Sequence, residues 1–220
     1  MDISNLKFVD GQGNGKETAC IMSARSLLDG RPFSDDHPSD VLRRLGIRIN
    51  DGNWWASDEE RTSVLLPLAI DERLCATKCD ASHEAELQRA KLCAHWALSY
   101  AAPFALDCAA SALRARWPEG AALLSGHADK LRRDPTRDNA LSAKKDALAY
   151  AANAAAASAA NAAAYAAAYA ANAANDAADA ADAADAADDA DDAKKRELRD
   201  SLIALFGQLL DVDTRTASAA

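Results

Sequence analysis

YAANAAAASAANAAAYAAAYAAN, residues 150–172, followed by ANDAADAADAADAADDADD, residues 174–192, is the stretch that decides the fold. Alanine is the strongest intrinsic helix former, because it loses no side-chain entropy and buries no polar group. From residue 136 to residue 206 the chain contains neither glycine nor proline. A single straight helix of that length would reach about 105 Å, at 1.5 Å per residue. The expectation is therefore one long helix or, with a break around 172–176, two antiparallel helices.

On a helical wheel, Tyr150, Asn153, Ser158, Asn161, Tyr165, Tyr169, Asn172, Asp176 and Asp179 fall on one polar and aromatic stripe. The other faces are alanine and suit close helix packing. After Asn175 the pattern changes. Asp176, Asp179, Asp182, Asp185 and Asp188 recur at every third residue, and Asp189, Asp191 and Asp192 thicken the band. A period of three lags the 3.6-residue turn, so the carboxylates would wind around a helix. They meet no cation until Lys194, Lys195 and Arg196. Such an array fits either a solvated low-complexity expansion or a mimic of a phosphate backbone offered to a basic groove.

Outward from this stretch, the apolar spacing predicts helices over about 18–29, 39–45, 57–68, 82–102, 104–116 and 119–131. Gly30 and Gly46 read as stops, Ser39 and Ser57 as N-caps, Pro67 and Pro103 as breaks, and Pro118 as a helix opener. No strand is expected. The fold class is all-α, a multi-helix bundle with a long alanine-rich C-terminal helix or helical hairpin. Asp134-Pro135 divides a compact helical domain, 1–134, from an alanine-rich segment, 135–220.

The chain has 220 residues and a net charge of -9. An acidic surface repels nucleic-acid phosphates and anionic lipid. It favours a protein partner with a basic surface, with no direct nucleic-acid binding and no membrane association. No apolar run reaches the roughly 20 residues of a bilayer span. The first ten residues lack the basic and apolar parts of a signal peptide, so a cytoplasmic location is expected. The five cysteines then read as thiols.

Candidate chemistry is sparse. The loop Gly11-Gln12-Gly13-Asn14-Gly15-Lys16 has the wrong glycine spacing for a phosphate loop, and Glu17 stands where Ser or Thr is needed. Cys75, Cys79 and His83 stand four residues apart, and Cys93 and His95 follow, but no matched second zinc-ligand pair exists. His37 with Asp35, Asp36 and Asp51 could form a base and its polar partners, without a nucleophile at a defined spacing. No catalytic residue, metal or cofactor is expected. Trp54 and Trp55, placed after a turn, are candidates for a partner-binding anchor or for core positions.

The segments 19–24 (ACIMSA), 32–38 (PFSDDHP), Asn50-Asp51, 58–61 (DEER) and 65–68 (LLPL) resemble a set of uncharacterised alanine-rich proteins of bacteriophages and actinobacterial genomes. This resemblance covers roughly 11–75. Asp40-Val41 departs from it, since a cysteine often follows the Pro-Ser there, and so does the Asp series. The tail is loosely similar to immunity proteins in composition. The resemblance implies a phage or mobile-element setting and no catalytic residues. The expected function is a non-enzymatic acidic binding protein, such as a phage inhibitor of a host defence complex. The alternatives are an immunity protein that neutralises a toxin and a small enzyme around His37. The partner-binding candidates are the eight aspartates from Asp176 to Asp192, Tyr165, Tyr169, Trp54 and Trp55.

Overall fold

Alanine, leucine and well-placed caps make most of this chain helical over the residues that the computed structural model describes, which are 3, 5–151 and 192–212. In chain order the helices are α1 (Ile21–Leu28), α2 (Asp40–Asp51), α3 (Asp58–Ala69), α4 (His83–Trp96), α5 (Ala102–Leu113), α6 (Pro118–Arg133), α7 (Arg137–Ala151) and α8 (Asp192–Leu210). A 3-10 turn, Glu72–Leu74, follows α3, and a π-helical stretch, Ala97–Ala101, lies between α4 and α5. The architecture is all-α apart from one small sheet.

That sheet corrects the expectation of no strands. Strands β1 (Lys7–Phe8) and β2 (Thr18–Ala19) pair in parallel, Lys7 opposite Thr18 and Phe8 opposite Ala19. Two residues per strand are too few for the alternation that marks a strand in sequence. The pairing rests on the loop between them, which brings Gly13 against Ala19.

The chain divides into two compact units. The first comprises residues 1–89 and 199–220, and the second residues 90–198. The Asp134-Pro135 junction, where the sequence places its boundary, is the turn between α6 and α7 inside the second unit.

In the first unit, Ser39 caps α2 by accepting the Leu42 amide at 3.2 Å. Ser57 caps α3 by accepting the Glu60 amide at 3.1 Å, while the Glu60 carboxylate reaches back to the Ala56 amide at 2.8 Å. Gly46 does not stop α2, which runs on to Asp51. It is buried where α2 meets α1, and a Cβ there would lie 2.6 Å from the Met22 sulfur. Glycine serves here for close approach rather than for a turn. Pro67 likewise stays inside α3. The core gathers Phe8, Ile21, Met22, Leu42, Leu45, Ile49, Leu65 and Leu74 with Leu202, Phe206 and Leu209 of α8.

The second unit is packed differently. α5 and α6 form its main contact, joined by α7. Its buried cluster is dominated by alanine, including Ala102, Ala109, Ala121, Ala128, Ala140 and Ala143, with Leu106, Leu113, Leu124 and Leu131 between them. Pro103 does not end a helix. It sits in the first turn of α5, directly after the π-helical stretch, and the chain stays helical through it.

Candidate functional site

The glycine loop is closed by its own side chains. Gly11, Gly13 and Gly15 all have positive φ. Their backbone turns the amides of Lys16, Glu17 and Thr18 onto one acceptor, the side-chain oxygen of Asn14, at 2.9, 2.9 and 3.1 Å. These are the donors that a phosphate loop would offer to its ligand. The Asn50 amide group donates to the Val9 carbonyl and to the Asp51 carboxylate, both at 2.7 Å, and Asp51 accepts the Gly11 amide at 3.0 Å. Asp51 therefore fastens this loop.

His37 is a strap between two segments. The Ser39 amide donates to Nδ1 at 3.2 Å, and Nε2 lies 3.1 Å from the Leu74 carbonyl. This arrangement fits the neutral ring with its proton on Nε2. Burial pushes the ring pKa below its ordinary 6.5, in the same sense. Asp35 pairs with Arg43 at 3.2 Å, and Asp36 accepts the Ser34 hydroxyl at 2.7 Å. The three candidates Asp35, His37 and Asp51 thus each hold a different structural partner.

Charged staples that the sequence did not announce run through the same unit. Arg25 and Asp29 are both buried, joined through Nε and Nη2 at 2.9 and 2.7 Å. Arg25 also donates to the Asp71 carbonyl at 3.0 Å, and Asp29 accepts the Ala76 amide at 2.9 Å. Burial pushes the Asp29 carboxyl up, but the Arg25 guanidinium and that amide outweigh it and hold the group below its usual range. Arg89 has no exposed surface. It donates to Glu86 at 2.6 Å, to the Asp80 carbonyl at 2.7 Å and to the Leu209 carbonyl at 3.4 Å. Arg73 bonds Asp71 and Asp211, which keeps the Asp71 carboxyl low.

Trp54 is not an exposed anchor. It is 5% exposed, and its indole N–H donates to the Ile49 carbonyl at 3.1 Å. Trp55 is half-buried and donates to the carbonyls of Ile49 and Asn50 at 3.0 and 3.1 Å. Together they close the C-terminal end of α2, whose last carbonyls have no helical partner. Arg48 and Arg199 lie over the rings of Trp54 and Trp55 at 5.6 and 5.0 Å. Arg199 also pairs with Glu60 at 2.6 Å.

All five cysteines are thiols, and only Cys79 has more than marginal exposure. Arg89 donates to the Cys79 sulfur at 3.7 Å, and Cys75 meets the Thr77 hydroxyl at 3.2 Å. Among the described residues, no three His, Cys, Asp or Glu side chains converge as metal ligands.

Tyr165, Tyr169, Asp176, Asp179, Asp182, Asp185, Asp188, Asp189 and Asp191 lie outside the described residues, as does the choice between one helix and a hairpin. Asp192 opens α8 as described. Just beyond it, Glu197 accepts the Tyr100 hydroxyl at 3.0 Å. Tyr100 belongs to a ladder of stacked rings, Trp96 to Tyr100 at 5.9 Å and Tyr100 to Phe104 at 6.3 Å between centroids. The spacing of four residues was the signal available in the sequence for this ladder. Among the described residues, no helix is long and apolar enough to cross a membrane. No protein-family model, no curated protein and no solved structure matches this chain.

Proposed function

We propose that the chain is a non-enzymatic binding protein that presents the carboxylates of 176–192 to a basic surface on a protein partner. The observation that carries this reading is where the charge sits. The whole chain has 34 acidic and 25 basic residues, and eight of the acidic ones are the aspartates of 176–192. With those eight set aside, 26 acidic residues face 25 basic ones. Nearly all the net acidity is therefore carried by 17 residues.

Concentrated charge of this kind speeds encounter with an oppositely charged surface and is sensitive to salt. Screening lengths fall from about 10 Å at 0.1 M salt to about 3 Å at 1 M. Together with the phage resemblance of the N-terminal segments, this supports an inhibitor that occupies the nucleic-acid groove of a host defence complex.

The test replaces all eight aspartates with asparagine and compares retention of host-lysate proteins on the two chains, at low and at high salt. Loss of a salt-sensitive partner in the asparagine variant is the expected result. Equal retention of the same proteins by both chains, at either salt, would remove the proposal.

A further inference from the structure

Asn14-Gly15 is the one Asn-Gly pair in the sequence, and it lies at the exposed tip of the loop joining β1 and β2. Such a pair undergoes a reaction that needs only water. The Gly15 nitrogen attacks the Asn14 Cγ, unhindered because glycine has no side chain. A nitrogen–Cγ bond forms, the bond from Cγ to the side-chain nitrogen breaks, and ammonia leaves with the proton that Gly15 gave up. Water then opens the cyclic imide. Cleavage of the new bond leaves aspartate. Cleavage between the Gly15 nitrogen and the Asn14 backbone carbonyl leaves isoaspartate, with the chain running through the side chain. One water is consumed and one ammonia released, and nothing is oxidised or reduced.

In this fold both reacting ends are held. The Asn14 carboxamide oxygen accepts three amides, from Lys16, Glu17 and Thr18. The Gly15 N–H, whose proton must leave, donates to the Thr18 carbonyl at 2.9 Å. The Asn14 amide donates to the Thr18 hydroxyl at 3.1 Å. The loop is clamped at its base by the Cys20 amide on the Gln12 carbonyl, at 3.1 Å, and by the Gly11 amide on Asp51. Gly15 itself sits so close to the Phe33 ring that a Cβ would lie 2.8 Å from it. Attack requires the carboxamide to leave three donors while the Gly15 N–H leaves its acceptor, so the reaction must pass through an opened loop.

We propose that Asn14 is a deamidation site under conformational control, closed in the folded chain and converted only when residues 11–19 open. The two products then part ways. Aspartate at 14 offers the same three amides a charged acceptor and re-forms the loop more tightly. Isoaspartate lengthens the backbone and cannot seat Gly13 against Thr18 and Gly15 against Phe33 at once.

The experiment incubates the full chain at mildly alkaline pH, folded and in denaturant. Conversion at position 14 is followed by peptide mass mapping that separates aspartate from isoaspartate. The folded chain is expected to convert at least about tenfold more slowly, by the same factor as the amide-exchange protection of Gly15 in the folded chain. Equal rates in the folded and denatured chain overturn the proposal. A second variant, Gly13→Ala, would place a Cβ 2.6 Å from the Thr18 backbone. If folded, it is expected to convert at close to the denatured rate, and a folded variant converting at the wild-type rate also overturns the proposal.

Discussion

Both units are helical, but they are packed by opposite means. Residues 1–89 and 199–220 bury large side chains, among them Phe8, Met22, Leu45, Leu65 and Phe206, and with them the arginines Arg25, Arg61, Arg89 and Arg199. In residues 90–198, nine of the thirteen residues in the buried cluster are alanine and the other four are leucine. Large residues from segments distant in sequence leave stranded carbonyls, which Arg25 and Arg89 bond, while Arg61 and Arg199 pair with carboxylates. Alanine lets helix axes come close, satisfies the backbone within each helix, and leaves little for a long polar side chain to do. One unit is therefore specified by its ion pairs, the other by its small volumes.

The sharpest way to break this contrast is to remove one member of a buried pair. Asp29→Ala leaves the Arg25 charge buried and uncompensated, with an expected loss of about 3–5 kcal/mol. Denaturant unfolding followed in the full chain measures it, and a loss below about 1 kcal/mol would mean that the pair is not what specifies the first unit. The second test enlarges the small unit. Ala128→Leu inserts methylenes into a position with no exposed surface and is expected to cost about 1–3 kcal/mol. The volume-conserving Leu45→Met in the first unit should cost less than about 1.5 kcal/mol. Equal tolerance at the two positions would erase the distinction.

A smaller effect is expected at the end of α2. Trp55→Phe keeps a ring beneath Arg199 but removes the N–H that closes the Ile49 and Asn50 carbonyls, a change of about 0.5–1.5 kcal/mol. Thermal unfolding reads it, and an unchanged midpoint would show that water replaces the indole.

The smallest effect is in pH. His37 has its pKa lowered by burial, so the unfolded chain takes up the proton before the folded one does. Its contribution is present in full above pH 6.5, its ordinary value, and is lost as pH falls through the lowered folded value. Asp29 and Asp71, held below their usual 3.8, have the same sign but lose their contribution only at more acid pH. Stability measured between pH 7 and pH 5 should therefore slope downward in the wild type and be flatter in His37→Gln. Parallel slopes would mean that His37 is not the group responsible.

Much of the helical scaffold was legible because it depends on neighbours in sequence. Ser39, Ser57 and Pro118 cap or open helices through residues within four positions of themselves. Gly46 and Pro103 were misread for the converse reason. Propensity sees only the local backbone, whereas Gly46 answers to Met22 across a helix contact, and Pro103 sits in the first turn of a helix that follows a wider one. The site residues divide in the same way. The acidic series and the two candidate tyrosines were legible as a pattern, and all but Asp192 lie outside the described residues. The role of His37 depends on Leu74, 37 residues away, and that of Arg89 on Leu209, 120 away. No spacing rule reaches so far.

The π-helical stretch carries a last consequence. The Ala102 amide bonds back to the Ala97 carbonyl, one residue further than in an ordinary turn. The Ser99 hydroxyl takes the His95 carbonyl at 2.8 Å. The widened turn takes up one surplus residue, so everything downstream lags by about 100° the phase that a regular helix of the same sequence would give it. Deleting Ser99 should let the turn close to regular geometry with the positions from 100 onward kept in phase, whereas closing it with all five residues retained would swing those positions by that angle and carry Tyr100 out of reach of Glu197. The surplus residue thus sets the phase of the rod: it is an indexing notch, fixing which side of the helix Phe104 and the alanines after it turn inward.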